Sequence, residues 1–206
     1  EYAEAQGARL VTAEVETVLR ENGQVRGVRA GGEIIACDKV VVTSGIWSGA
    51  LAKDLGLKVP LAPESGFHLE LWEPRVMPRA PLLVAAGKFV ITPMEGRLRL
   101  AGMVGYLGLE AQPPEAPYRL LERHVKRVLP GIRWRETRRW MGHRPAISDS
   151  CPLIGEVPGV SGAFVGFGHD HVGLTGGPRT GRILAQLMSG RRPNIDLAPF
   201  APGRFG

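Results

Sequence analysis

Cysteine is nearly absent from the 206 residues: Cys37 and Cys151 stand far apart and form no Cys-x-x-Cys pair. That excludes a disulfide framework and a cysteine-built metal centre, makes a reduced compartment the default, and leaves both thiols reading as small buried hydrophobes. No apolar run approaches the ~20 residues of a membrane span, and the first residues do not read as a signal peptide. Lysine is scarce, five of the 26 basic residues, so the net charge of +6 comes almost wholly from arginine. Aromatic residues make up 6% and form no interleaved platform along the basic stretches. Without a stacking platform or a nucleic-acid motif, the arginines, among them the helically spaced Arg119, Arg123 and Arg127, read as a solvated face. No nucleic-acid partner is expected. Internal repeats and low-complexity tracts are also missing.

What is present is the composition of a soluble globular protein, 44% hydrophobic and 22% charged, long enough to bury a real core. Glu1 to Gln6 reads as the last turns of a helix stopped by Gly7, and Arg9 to Thr12 as a short strand. Asn22-Gly23 between two alternating runs is a strong hairpin signal, predicting strands over Glu14 to Glu21 and Gln24 to Ala30. Glu33 to Cys37 is a third strand. Val40 to Thr43 is apolar and β-branched, as in a buried parallel strand, and a helix follows from Trp47 to Leu55. Antiparallel signals then take over at Gly66 to Trp72, Lys88 to Thr92 and Arg97 to Val104. A helix is expected from Glu115 to Leu129, with a strand from Trp134 to His143. Ala163 to Phe167 reads as a strand, and Pro178 to Ser189 as the last helix.

Two segments carry chemistry. Trp140-Met-Gly-His-Arg-Pro145 sets Arg144 at a strand end, where a planar guanidinium can grip a carboxylate through two parallel hydrogen bonds. The alternative is a structural arginine paired with Asp149. The second segment runs from Phe164 through Gly168-His-Asp-His171 to Gly173-Leu-Thr175, a strand-to-helix turn rich in glycine. The unpaired N–H groups of a helix start near Gly173 to Thr175 attract negative charge, and Thr175 is a candidate cap. The alternative is an ordinary connection that holds nothing. His169 and His171 invite a metal, but two histidines beside Asp170 alone are too few ligands, and no metal site is expected.

These segments, together with Val40-Val-Val-Thr-Ser-Gly-Ile-Trp-Ser48, Pro63-Glu-Ser-Gly66, Pro152-Leu-Ile-Gly155, Thr180-Gly-Arg182 and Asp196-Leu-Ala-Pro-Phe200, carry a resemblance along essentially the whole chain. It resembles the C-terminal half of FAD-dependent amino-acid oxidoreductases of the D-amino-acid oxidase superfamily, nearest the D-amino-acid dehydrogenase and glycine/sarcosine oxidase-like branch. The resemblance implies an α+β fold: an antiparallel substrate-binding sheet with helices, flanked by remnants of an FAD-binding Rossmann-like α/β domain. The corresponding segments are 1–60 for the partial FAD-binding domain, 61–139 for the substrate domain and 140–206 for the return to the first. The family's Gly-x-Gly-x-x-Gly pyrophosphate turn does not occur here, so the chain is expected to be a piece of a longer enzyme. FAD would then be held by the whole protein, and the piece alone would be inactive.

By the same resemblance, Arg144 binds the substrate carboxylate, with His68 and Tyr106 as further pocket residues. On an alternating strand His68 could equally be a satisfied sheet histidine. Val15 would meet the adenine through its backbone, Gly45 lies in a strand-end turn near the cofactor, and Gly168 and His169 open the flavin-side loop. Gly173, Leu174 and Thr175 would face the flavin pyrimidine, where a helix start stabilises negative charge. No residue is assigned a certain catalytic role. Two departures stand out: Asp170 replaces a small residue, and Gly102-Met-Val-Gly105-Tyr106 replaces a Gly-Thr-x-Glu pattern. The implied activity is oxidation of the Cα–N bond of a D-amino acid or imino acid by hydride transfer to FAD. A carboxylate-binding module without redox chemistry is the alternative. The implied partners are a small amino-acid substrate, a second copy meeting the faces left uncovered, and either oxygen or a membrane-linked electron acceptor. The implied location is the cytoplasm, at most peripheral to the inner face of the membrane.

Overall fold

The computed structural model describes residues 1–206. In chain order the elements are α1 (Tyr2–Ala5), β1 (Val15–Glu21), β2 (Gln24–Ala30), β3 (Glu33–Ala36), β4 (Val40–Val42), α2 (Ser48–Asp54), β5 (Leu61–Trp72), β6 (Leu82–Val84), β7 (Phe89–Met94), β8 (Arg97–Tyr106), α3 (Glu115–Val128), β9 (Glu136–Ile147), β10 (Leu153–Glu156), β11 (Ala163–Phe167) and α4 (Gly173–Met188). The chain divides into two units: Glu1–Leu61 with Ile147–Gly206, and Ala62–Ala146. No helix is long and apolar enough to cross a membrane.

In the first unit β1, β2 and β3 form an antiparallel meander. Its first turn has Asn22 at φ 50 and Gly23 at φ 75, the two left-handed residues that match the twist of a tight hairpin. The strand expected over Arg9 to Thr12 does not form. Those residues are exposed, and an extended segment with no neighbour to pair with makes no ladder.

A second sheet has the order β10-β11-β4, with β11 antiparallel to β10 and parallel to β4. The apolar β-branched run over 40–43 thus is a parallel strand, though it lies at the sheet edge and only Val42 is buried. Helix α4 packs on this sheet through Ile183 and Leu184, against Ile154 and Phe164. A Cβ on Gly166 would stand 2.7 Å from the Leu184 side chain, so glycine is what lets the helix sit this close. The sequence suggests a helix start near Gly173 to Thr175 and a last helix over Pro178 to Ser189; one helix runs from Gly173 to Met188, with Pro178 inside it. Proline there removes one i→i−4 bond, a loss the remaining ladder tolerates. Thr175 is the helix's third residue and does not cap it; the N-cap position is Val172, with no side-chain bond.

The second unit is a five-stranded sheet of order β6-β7-β8-β5-β9, covered on one face by α3. Phe67, Leu69 and Leu71 of β5, with Leu98 and Leu100 of β8, pack against Tyr118, Leu121 and Val125 of the helix. Strand β6 is too short to leave an alternation in the sequence. Strand β9 continues past the expected end at His143, through Arg144 and Pro145. It is an edge strand, where a residue without an N–H donor does least harm. Arg119, Arg123 and Arg127 are exposed on α3, as the solvated-face reading requires. Leu121, at 0% exposure, is the centre of the helix–sheet contact. Leu121→Ala is expected to destabilise the protein by about 2–5 kcal/mol, because the well-packed sheet cannot collapse into the cavity. Chemical denaturation checks this, and a loss under about 1 kcal/mol would mean that the site relaxes freely.

Candidate active site

Alternation along β5 sends Phe67, Leu69 and Leu71 into the core and leaves Glu64, Gly66, His68, Glu70 and Trp72 on the opposite face of the sheet. On β9, Met141 packs on the core, whereas Trp140 stacks on His68 and Arg138 lies over the Trp72 ring. Arg144 therefore belongs to the face away from α3. Its Nη1 donates to Glu64 Oε1 at 2.8 Å, and its side chain is 33% exposed against 9% for Glu64. A Cβ built on Gly66 would lie 2.6 Å from Arg144 Nη2, 2.7 Å from Nη1 and 2.8 Å from Cζ. Near-equal distances to three atoms of the fork mean that the guanidinium lies flat over the glycine. Trp140 uses Gly142 in the same way, its indole covering the place where a Cβ would be. Two glycines thus let two large planar side chains lie against the sheet.

The Tyr106 hydroxyl reaches Glu64 Oε2 at 3.5 Å, a long contact, while the residue is 73% exposed. Arg144 and Tyr106 are thereby brought together through Glu64. His68 is not part of that group. It stacks on Trp140, with centroids 4.8 Å apart and planes at 15°, and its Nδ1 lies 3.4 Å from Arg99 Nη2. The satisfied-sheet alternative for His68 is the one its contacts match. The alternative pairing of Arg144 with Asp149 does not occur. Both oxygens of Asp149 accept from Arg204, from Nε at 2.9 Å and from Nη2 at 3.0 Å, and those hydrogen bonds keep its carboxyl below the usual range. Glu64 and Gly66 were not singled out as site residues by sequence reasoning, although both lie in the quoted Pro63-Glu-Ser-Gly66 segment.

In the first unit β4 and β11 run parallel, so their carboxyl ends lie at the same edge of the sheet. The Gly45 turn follows one and the Gly168 loop the other, both with positive φ. In open α/β sheets ligands settle outside such ends. Val15 joins them: a cavity of about 560 Å³ is lined by Glu14, Val15, Ser44 and Trp47 among others. Ser48 Oγ is buried without a hydrogen-bond partner. His169 opens the second loop with Nε2 2.8 Å from Thr180 Oγ1, and Thr180 in turn bonds the Gly176 carbonyl. After it, Gly173, Leu174 and Thr175 form the first turn of α4, with Leu174 96% exposed. Cβ positions on Gly176 and Gly177 meet at most one ring atom, so the start of the helix is open to a flat molecule. Asp170 sits between the histidines at φ 48; its Oδ1 is buried, accepts no hydrogen bond, and lies 3.5 Å from His171 Nε2. The two cysteines, expected to be buried, are partly exposed and free; burial still pushes the Cys37 thiol up, aided by Asp38.

Burial disfavours the imidazolium of His169, and of His68 with help from Arg99, so both pKa values lie below that of an ordinary imidazole. The unfolded chain then binds more protons as pH drops below about 6.5, and stability present above that pH is lost toward the folded-state pKa. Tm is expected to fall between about pH 7.5 and about pH 5.5, and His169→Gln, which can keep a bond to Thr180, should flatten part of that fall. An identical pH profile in the variant would remove His169 from the account.

The fold has solved counterparts. Glycine oxidase from Geobacillus kaustophilus superposes with a TM-score of 0.78 at 25% identity, over 93% of this chain and 52% of that one. The family model described as FAD dependent oxidoreductase, DAO, matches residues 1–187, and the chain belongs to that family. The D-amino-acid oxidase of Bradyrhizobium diazoefficiens is 39% identical over 209 residues, spanning 99% of this chain and 49% of that protein. The glycine oxidase of Pseudomonas aeruginosa is 35% identical over 191 residues, spanning 92% and 52% respectively. The chain spans about half the length of the curated relatives it matches.

Proposed function

We propose that the whole protein carrying this chain oxidises the Cα–N bond of an amino acid, a D-amino acid or an imino acid, with FAD as its cofactor. The observation that carries this reading is Arg144: a guanidinium flat on a sheet, one edge fixed by Glu64, with four of its five donors left for a ligand. Such a fork suits the α-carboxylate that every amino acid presents.

The residues present fit one flank of FAD. Val15 borders the cavity suited to the adenosine end, with Gly45 next in sequence to its lining residue Ser44, and the open helix start at Gly173, Leu174 and Thr175, preceded by Gly168 and His169, suits the ring end. Bound FAD would supply the hydride acceptor for oxidation of the amine to an imine, which water then hydrolyses. Arg144 would hold the carboxylate and fix which face of Cα is presented, and Tyr106 would close one side of the pocket. Backbone N–H groups of the α4 start would stabilise negative charge as it develops on the reduced ring. The test is turnover of purified whole protein with D-alanine, glycine and D-proline, assayed as flavin-dependent loss of amine. No turnover with any amino acid, together with tight binding of simple carboxylates, would favour a binding module without redox chemistry.

A further inference from the structure

The geometry points to a second ligand site, at the Trp72 end of β5, where Arg75 and Arg133 beside Trp134 take the phosphate group of a phosphate monoester. It uses none of the residues of the Arg144 site and stands independently of the amino-acid oxidation reading. All of its residues lie in the unit Ala62–Ala146. Strand β5 ends at Trp72, the chain turns at Glu73 through φ 52, and the Arg75 N–H donates to the Arg133 carbonyl at 2.9 Å. The Arg135 N–H donates to the Trp72 carbonyl at 3.0 Å. These two bonds hold the segment after β5 against the segment between α3 and β9. Glu73, Arg75, Arg133, Trp134 and Arg135 line one cavity of about 290 Å³ there.

Charge singles this cavity out. Three arginines stand against one glutamate, so two positive charges are left over. Arg135 Nη1 lies 2.8 Å from Glu73 Oε1, an exposed pair that holds its partners weakly. The guanidiniums of Arg75 and Arg133 make no ion pair or hydrogen bond within the protein. Two cations on backbones bonded to each other repel unless an anion lies between them. Lys126 does not add to the excess, since its Nζ is paired with Glu122 at 2.7 Å. It lies 5.3 Å from the Trp134 centroid, and Trp134 Nε1 donates to Thr137 Oγ1 at 2.8 Å, so the indole is a fixed wall. The complementary ligand carries two charges on one compact group and offers several acceptor oxygens to planar forks, which describes a phosphate monoester. A dicarboxylate spreads the same charge over a longer molecule, and the cavity is at the small end of the range for ligand sites. The half-buried indole gives the carbon part of the ester an apolar surface. A soluble metabolite and an anionic lipid headgroup both present this group.

The experiment uses whole protein saturated with FAD, as wild type, Arg75→Gln, Arg133→Gln, Arg133→Lys and the double Gln variant. Calorimetric titration reads the dissociation constants of glycerol 3-phosphate, dimethyl phosphate and succinate, and flotation with phosphatidate vesicles reads lipid binding. Wild type should bind glycerol 3-phosphate at least about five-fold more tightly than singly charged dimethyl phosphate or the longer succinate. Each Gln variant should weaken glycerol 3-phosphate about ten-fold, and the double variant should abolish its binding. Arg133→Lys keeps the charge without the fork and should lie between wild type and Arg133→Gln. Arg75 and Arg133 are exposed, so the variants should fold and hold flavin as wild type does. Vesicle binding that glycerol 3-phosphate displaces and the double variant loses would assign the phosphate to a lipid headgroup. Binding of the free ester without binding of vesicles would assign it to a soluble metabolite. No saturable binding of glycerol 3-phosphate by wild type, equal binding of the three anions, or undiminished binding in the double variant overturns the proposal. None of these arms reads amino-acid turnover, so a failure of the oxidation reading leaves them unaffected.

Discussion

In whole protein, Arg144→Ala is expected to lower kcat/KM for amino-acid substrates about ten- to a hundred-fold, with the spectrum of the bound flavin nearly unchanged. A charge-assisted hydrogen bond contributes about 1.5–3 kcal/mol, and a fork that grips a carboxylate supplies more than one. Arg144→Lys keeps the charge and loses the planar fork, so it should fall between wild type and alanine. The alanine variant should also lose about 1–3 kcal/mol of stability, because Glu64 is nearly buried and would give up the guanidinium at 2.8 Å. Kinetics and stability must therefore be read separately. Unchanged kinetics in a folded, flavin-loaded Arg144→Ala protein would make Arg144 a structural residue.

The second large effect is expected at Gly66, where no charge changes at all. The methyl group of Gly66→Ala would stand 2.6–2.8 Å from three atoms of the Arg144 fork, closer than real contacts allow. Backbone strain is not the cause, since Gly66 has no positive φ; the conflict is with a side chain that can swing away. The arginine should lift off the sheet, break its bond to Glu64 and present its donors at a different height. A misplacement of about 1 Å at a reacting centre can cost a hundred-fold, so kcat/KM should fall by a factor comparable to Arg144→Ala. Stability should fall less than in Arg144→Ala, because the partner of Glu64 is moved and not deleted. Wild-type kinetics for Gly66→Ala would show that the flat pose over the glycine does not matter to the site.

Local signals in the sequence were enough for much of the scaffold. The Asn22-Gly23 hairpin, the strand over Ala163 to Phe167 and the amphipathic helix from Glu115 all follow from short-range patterns, and each forms. Arg144 could be picked from 21 arginines by its Gly-x-Arg-Pro context. Its partner could not, because Glu64 lies 80 residues away and meets it only once the sheet is assembled. The same holds for Arg204, which takes Asp149 across 55 residues and so removes the pairing proposed for Arg144. Gly66 and Gly142 look like weak strand residues until the side chains lying over them are seen. Pro178 misled in the opposite direction: a proline usually marks a helix start, yet α4 begins five residues before it. The resemblance supplied what local patterns could not, namely the expectation that the Val15, Gly45 and Gly168 segments serve one cofactor.

The central claim is that the Arg144 face serves oxidation of an amino acid by bound flavin. Anaerobic mixing of whole flavin-loaded protein with a D-amino acid tests it most directly. The account predicts that the flavin absorbance bleaches at a rate that saturates with amino-acid concentration, and that Arg144→Ala needs about ten-fold or more substrate to reach half of the maximal rate. Flavin that stays oxidised with every amino acid offered, or that bleaches with the same concentration dependence in Arg144→Ala, would contradict it.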